Sequence, residues 1–427
     1  MIISVGRSKL SGSALMPASK SHTIRAVVVG SLAGGTSTIR NPLEAADPLA
    51  SASVCGKLGA EIERDGDWTV RGVGGRPIAP GDVLDTGNSG TTLYLTMGTA
   101  ALADGYSVFT GDEQIRNRPA GPLLEALSGL GVEAFSTRGN GMPPLVIRGP
   151  MRGGRIELDG SKTSQYLSAL LLNCPLSQGD TEIRVHDPCE LPFIEMTLGW
   201  LDGQEIRYER DGFEQFGIPG GQCYSAFDKQ IPGDFSSAAF FLCAAAVTGS
   251  EMTLLGLDMN DSQGDKAIVE MLGAMGARIE ALPEGIRITG GKLSGGEFDL
   301  SGTPDALPAM AAAACFADGE TRLVNVAQAR LKETDRISVM AHELSKMGAR
   351  VEERPDGLVI QGGGMYAAEV HGHSDHRVVM ALAVAGMGCD GTTEVDTAEA
   401  VSITFPNFVE LMQAAGANIG QKQDLRG

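Results

Sequence analysis

Apolar positions along the chain change rhythm in a fixed order. Segments such as DKAIVEMLGAMG (265–276) place apolar residues at helical spacing and stop at a glycine. Alternating runs broken by a turn follow, as in RIEALPEGIRI (278–288) and RVEERPDGLVI (350–360). The first pattern predicts a helix with a glycine C-cap, and the second predicts a β-hairpin. Six copies of the junction occur: KLGAEIE (57–63), GLGVEAF (129–135), LDGQEIRYE (201–209), AMGARIE (274–280), KMGARVE (346–352) and AAGANIG (414–420). Their central residues, Gly59, Gly131, Gly203, Gly276, Gly348 and Gly416, recur about every 72 residues, which marks a structural repeat. The third copy is the weakest match.

A unit of that size cannot bury both of its faces alone, so copies pack around shared cores. Six copies divide into two groups of three. The polar stretch GGQCYSAFDKQIPGD (220–234) lies between the third and fourth copies and predicts a hinge at about residue 228. Two large domains also fit a length of 427 residues.

Composition narrows the function classes. A net charge of −19 disfavours nucleic acid, whose phosphates are bound by an excess of Lys and Arg. An anionic small molecule remains compatible, provided that basic side chains concentrate locally. No run approaches the ~18 apolar residues of a membrane span, and the N-terminus lacks signal-peptide features, so a cytoplasmic, membrane-free protein is expected. Seven cysteines without a CxxC pair predict reduced thiols and no cysteine-rich zinc site.

Candidate chemistry gathers at predicted helix starts, where free N–H groups and the positive dipole end favour anions. PASKSHTIR (17–25) supplies Lys20, Ser21 and Arg25, and DTGNSGTTLYL (85–95) supplies Asn88, Ser89, Gly90 and Thr91. Arg116 and Arg118 precede Pro119, and GSKTSQYLSALLL (160–172) offers Ser161, Lys162, Thr163, Ser164 and Gln165. The second half adds Asp305 in TPDALP, Lys332, Glu333 and Arg336 in RLKETDR, and Asp375, His376 and Arg377 in HGHSDHR. Capping or i,i+3 ion pairing explains each of these taken singly. His371, His373 and His376 lack a matching carboxylate or cysteine cluster, so no metal is expected.

Together, PASKSHTIR, GNSGTT, NRP, GSKTSQ, PDALP, RLKETDR and SDHR resemble, in order and interval, the enolpyruvyl transferase family over nearly the whole chain. The resemblance implies an α/β fold of two domains, each a threefold βαβαββ repeat forming an inside-out α/β barrel. Residues 14–228 would form the first domain and 1–13 plus 229–427 the second, with the active site in the interdomain cleft and closure about the hinge. The branch most resembled uses shikimate 3-phosphate as acceptor and phosphoenolpyruvate as donor, in aromatic amino-acid biosynthesis, and works as a cytoplasmic monomer without metal or organic cofactor. By the same resemblance, Ser21, Arg25, Thr163, Ser164, Gln165, Asp305 and Lys332 would bind shikimate 3-phosphate. Lys20, Gly90, Thr91, Arg118, Gln165, Arg336 and Arg377 would surround phosphoenolpyruvate. Asp305 would take the acceptor hydroxyl proton, while Glu333 with Lys20 would exchange a proton at the methylene carbon.

Five positions depart from the family pattern. Tyr94 and Leu95 replace a frequent Arg-Pro, Glu190 and Leu191 replace a Ser-Lys or Ser-Arg, and Ile403 replaces a frequent lysine. These changes predict altered packing beside the phosphoenolpyruvate site, a lost hydroxyl contact to the sugar-acid phosphate, and a weaker grip on glyphosate. Two other readings are a UDP-N-acetylglucosamine enolpyruvyl transferase, which usually has a cysteine in the loop holding Arg118, and a noncatalytic phosphometabolite-binding protein. Here that loop, GDEQIRNRPAG, has no cysteine.

Overall fold

A helix, a turn and a strand follow one another at all six predicted junctions, each in a four-stranded sheet carrying two helices; in the sixth the strand Ile419–Lys422 pairs with Ile2–Gly6 from the start of the chain instead of forming a hairpin. The structure, a computed structural model, describes residues 1–423. Six sheets share one strand order, which the second repeat illustrates. Leu84–Asp85 pairs in parallel with Tyr106–Thr110, which pairs antiparallel with Leu145–Arg148, which in turn pairs antiparallel with Glu133–Ser136. One helix, Gly90–Ala100, connects the parallel strands, and a second, Gly121–Gly129, leads through Gly131 into the hairpin. The repeat is therefore βαβαββ.

Three sheets are completed by strands distant in sequence. Ile2–Gly6 lies between Thr392–Val395 and Ile419–Lys422 in the sixth sheet. Ser13–Leu15 pairs in parallel with Glu251–Leu255 in the fourth, and Asp228–Gln230 pairs in parallel with Thr36–Arg40 in the first. Accordingly the chain separates into one compact unit of Ala18–Ile231 and another of Met1–Pro17 with Pro232–Gly427. The division falls slightly after residues 13 and 228 because both positions lie within strands that pair with the unit they leave.

Each unit has its own hydrophobic core. Three helices form the centre of the first unit: Lys20–Leu32, Gly90–Ala100 and Gln165–Asn173. Phe235–Thr248, Leu307–Ala314 and His376–Met387 are their counterparts in the second. These helices carry apolar or small residues on every face and are buried nearly throughout, as expected of helices surrounded by protein. In the second unit all three pack on one another, and in the first Gly90–Ala100 packs on both others. The remaining helices and the sheets surround them, and strand burial alternates because only one sheet face meets the helices.

The third junction departs from its sequence alignment. Gly203 is the last residue of the helix Leu191–Gly203, and the left-handed position is taken by Glu205 at φ 56°. Gly59, Gly131, Gly276, Gly348 and Gly416 all have positive φ, between 85° and 111°. Among the described residues no helix is long and apolar enough to cross a membrane, and no group of three His, Cys, Asp or Glu could hold a metal ion.

Candidate active site

The repeat dictates where the chemistry sits. Three buried central helices recur in each unit, and most residues singled out from the sequence lie at or just before their starts, whereas Lys332, Glu333 and Arg336 lie at the start of the outer helix Arg336–Lys346 and Arg116 and Arg118 lie in the loop around the 3-10 turn Ile115–Asn117.

In the unit Ala18–Ile231, Ser19 caps the first helix by accepting from the His22 N–H. Lys20 Nζ lies 3.2 Å from Asp47 Oδ2, a pair largely withdrawn from water. Asp47 also connects to the second helix, because its carbonyl accepts from Thr92 Oγ1 at 3.3 Å. Arg25 is buried, and its Nε, Nη1 and Nη2 donate to Thr197 Oγ1, the Ser21 carbonyl, Ser168 Oγ and the Phe193 carbonyl. All four acceptors are neutral, and burial lowers the guanidinium pKa to about 10. Arg25 thus brings positive charge to this region, although most of its N–H groups serve to lock the helices together.

Ser89 caps the second helix by accepting from the Thr92 N–H. A Cβ on Gly90 would collide with Arg118 Nη1, so the glycine lets that buried guanidinium lie against the helix start. Arg118 is followed by Pro119, whose carbonyl accepts from Tyr94 Oη at 2.7 Å and Tyr166 Oη at 2.6 Å. The rings of the two tyrosines meet edge-on, with centroids 5.1 Å apart. Tyr94 and Leu95 are therefore buried helix residues. Tyr94 acts on the loop that carries Arg118, a positioning role that its place within an apolar run concealed. Tyr166 was missed for the same reason.

At the third helix, Gln165 Oε1 is buried without a hydrogen-bond partner, whereas Thr163 and Ser164 are engaged by Glu190. Thr91 and Ser21 are half-buried near their helix starts, while Arg116 donates to the Gly111 carbonyl and braces its own loop.

In the other unit, Arg336 organises a carboxylate cluster. Its Nε and Nη2 donate to Asp375 Oδ2 and Oδ1 at 2.8 and 3.1 Å, Nη1 donates to Asp305 Oδ1 at 2.7 Å, and Nη2 donates to Glu333 Oε2 at 2.5 Å. Arg377 Nη2 stands 3.1 Å from Asp305 Oδ2, so Asp305 bridges two arginines. Asp375 also caps its helix by accepting from the Arg377 N–H. Burial alone would lower the Arg336 pKa, but Asp375, Glu333 and Asp305 outweigh it and raise the value. Taking such charges out of water costs several kcal/mol per ion, and matched N–H and carboxylate oxygens offset that cost. Arg336 accordingly serves first to hold Asp305 and Glu333 in place.

Asp265, which the sequence did not single out, accepts from Thr303 Oγ1. Burial, reinforced by Asp305 and opposed by Arg377, raises its pKa to about 6. Lys332 follows the short 3-10 turn Ala327–Leu331 and is half-buried. His371 and His373 meet edge-on, with centroids 4.3 Å apart, and pair with Asp396 and Glu343 respectively. His376 is buried with neither ring nitrogen hydrogen-bonded.

Basic residues are thus concentrated at the helix starts despite the overall acidity, but Lys20, Arg336 and Arg377 each face carboxylates of their own unit.

Comparison with known proteins places this arrangement. The EPSP synthase (3-phosphoshikimate 1-carboxyvinyltransferase) family profile matches residues 5–412. A 3-phosphoshikimate 1-carboxyvinyltransferase of Ruminiclostridium cellulolyticum is 52% identical over 420 residues, covering 98% of this chain and 99% of the relative. That of Acetivibrio thermocellus is 53% identical with the same coverage. The solved EPSP synthase of Acinetobacter baumannii superposes with a TM-score of 0.84 at 29% identity, over 99% of this chain and 100% of the other. On the match along nearly its whole length, this chain belongs to the EPSP synthase family.

Proposed function

We propose that the chain transfers the enolpyruvyl group of phosphoenolpyruvate to the 5-hydroxyl of shikimate 3-phosphate and releases inorganic phosphate. Likeness over nearly the full length to relatives named 3-phosphoshikimate 1-carboxyvinyltransferase supports this reading. The observation that carries the chemistry is the placement of Asp305 and Glu333 on one buried guanidinium, with Arg377 against Asp305.

In this reading a proton adds to the methylene carbon of phosphoenolpyruvate, and C2 becomes electrophilic. The acceptor hydroxyl attacks C2 and gives up its proton to Asp305, forming a tetrahedral ketal that still carries phosphate. Loss of a methyl proton and expulsion of phosphate then restore the enol ether. Glu333 and Lys20 handle the proton at carbon, and such transfers typically contribute ~10²- to 10⁴-fold. Arg118 and Arg377 receive the donor's phosphate and carboxylate. Arg336, its fork bonded to Asp375, Asp305 and Glu333, belongs to the same donor surroundings. Gly90, Thr91 and the unpaired oxygen of Gln165 complete the donor surroundings, while Ser21, Arg25, Thr163, Ser164, Gln165, Asp305 and Lys332 receive the acceptor. Each unit holds only part of this machinery, so catalysis requires both. The same reading has the chain act as a cytoplasmic monomer without a cofactor.

The test is phosphate release with shikimate 3-phosphate and phosphoenolpyruvate, measured alongside the carboxyvinyl product by mass, with UDP-N-acetylglucosamine as competing acceptor. Release should require shikimate 3-phosphate and fall about a hundredfold or more in Arg377→Ala, the scale of losing a preorganised charge contact. Release only with the nucleotide sugar would overturn the acceptor, and tight binding without turnover would overturn catalysis.

A further inference from the structure

Glu190 accepts hydrogen bonds from two residues, Thr163 and Ser164, that the proposed function assigns to the phosphorylated acceptor. Its side-chain Oε2 accepts from the Ser164 N–H at 3.0 Å, Ser164 Oγ at 2.8 Å and Thr163 Oγ1 at 3.2 Å. Glu190 is only 2% exposed. Its backbone is left-handed, at φ 52° and ψ 44°, which a residue with a Cβ adopts only where its surroundings compensate. Ser164 precedes the helix Gln165–Asn173 and does not cap it with its own side chain; Glu190 reaches across and places an anion on the Ser164 N–H at this helix start, while the Gln165 N–H goes to Thr163 Oγ1. Glu190 makes no side-chain cap to the helix it precedes, Leu191–Gly203.

We infer that Glu190 is a specificity-determining residue that competes with the acceptor's phosphate for Thr163 and Ser164. This inference rests on the proposed function's assignment of those two residues. A phosphate dianion and a carboxylate repel each other strongly at hydrogen-bond range in a buried setting. They also need the same donors, because a hydroxyl has one proton to give. The phosphorylated acceptor therefore binds only by displacing the Glu190 carboxylate from its three donors, and that displacement is subtracted from the affinity. An acceptor lacking the phosphate escapes the penalty. Arg25 bonds to Ser168 on one flanking helix and to Phe193 and Thr197 on the other, so its charge lies among the elements that frame this exchange.

Calorimetric titration of the full chain with shikimate 3-phosphate, and separately with unphosphorylated shikimate, tests the competition. Glu190→Gln keeps an acceptor oxygen in place and removes the charge. It should bind shikimate 3-phosphate about tenfold more tightly or better, the change expected from relieving one like-charge contact, without a matching gain for shikimate. Glu190→Ser carries the same expectation should the glutamine variant fold poorly. Unchanged or weaker binding in these variants, while Ser164→Ala still weakens shikimate 3-phosphate, would overturn the competition and leave Glu190 as a helix cap. If Ser164→Ala has no effect either, the phosphate lies elsewhere and the inference falls with that residue assignment. The Arg377→Ala assay still tests turnover separately.

Discussion

His376 shows how little a side chain's type reveals of its state. A histidine beside Asp375 in a His-rich segment looks like a charged partner, yet the ring is buried, neither nitrogen is hydrogen-bonded, and the nearest Asp375 oxygen is 3.9 Å away. Burial, with Arg377 adding to it, depresses the pKa from 6.5 to about 3. The sign follows: the folded chain keeps this ring neutral while the unfolded chain protonates it near pH 6.5. The contribution to stability is complete above pH 6.5 and is lost as pH falls toward 3, at up to ~1.4 kcal/mol per pH unit. Urea unfolding of His376→Gln at pH 7 and pH 5 should therefore give a smaller loss across that interval than the parent chain. Equal losses would mean that the folded ring takes up its proton over the same pH range as the unfolded one. The arginines carry the same lesson. RLKETDR predicts the Glu333–Arg336 pair from its spacing, but Asp305 and Asp375 come from other segments and were invisible as partners. Residue types at the helix starts were readable because capping and anion binding use short local patterns. Which cations are already paired was not, because pairing is set by tertiary distance.

Gly203 and Glu205 bring the same question to the scale of the element. Periodicity located all six helix–strand junctions, but it placed the third turn on the wrong residue, because a glycine happened to stand two positions early. Gly203 is helical, and a Cβ there would meet nothing within 4 Å. Gly131 has φ 85°, and its Cβ would meet Arg152 at 3.3 Å. Gly203→Ala should thus stabilise the fold by roughly 0.5–1 kcal/mol through reduced backbone entropy. Gly131→Ala should destabilise it by roughly 1–2 kcal/mol, the cost of a left-handed residue with a Cβ. Thermal melts of the two variants decide the matter, and shifts of the same sign would return Gly203 to the turn. A second repeated glycine went unread. At Gly72, Gly149, Gly220, Gly290 and Gly362 a Cβ would overlap a backbone carbonyl where the hairpin's last strand ends. No local pattern marks these positions, since the carbonyl they admit comes from a segment distant in sequence.

At the scale of the whole molecule, the order of the chain and the order of the fold are offset by one strand at each crossing. The unit Ala18–Ile231 holds every strand of its three sheets, including Asp228–Gln230, together with a complete core of its own. The segment 232–427 does not: it lacks Ile2–Gly6, which is an inner strand hydrogen-bonded on both sides, and the edge strand Ser13–Leu15. Without Ile2–Gly6 the neighbouring strands Thr392–Val395 and Ile419–Lys422 lose their shared partner, and Ile3 and Val5 leave the core. Unpaired strand edges of that kind favour association over folding. Expressed alone, residues 18–231 should unfold in one cooperative transition, whereas residues 232–427 should do so only when 1–17 are fused to them or added as a peptide. Circular dichroism melts and hydrogen exchange on the three fragments provide the measurement. Cooperative folding of 232–427 by itself would show that the N-terminal strands decorate a self-sufficient unit. Failure of 18–231 would show that each core depends on the other. The expected asymmetry also explains why a boundary read near residue 228 misleads a truncation: ending the first fragment there removes most of the strand that closes its first sheet.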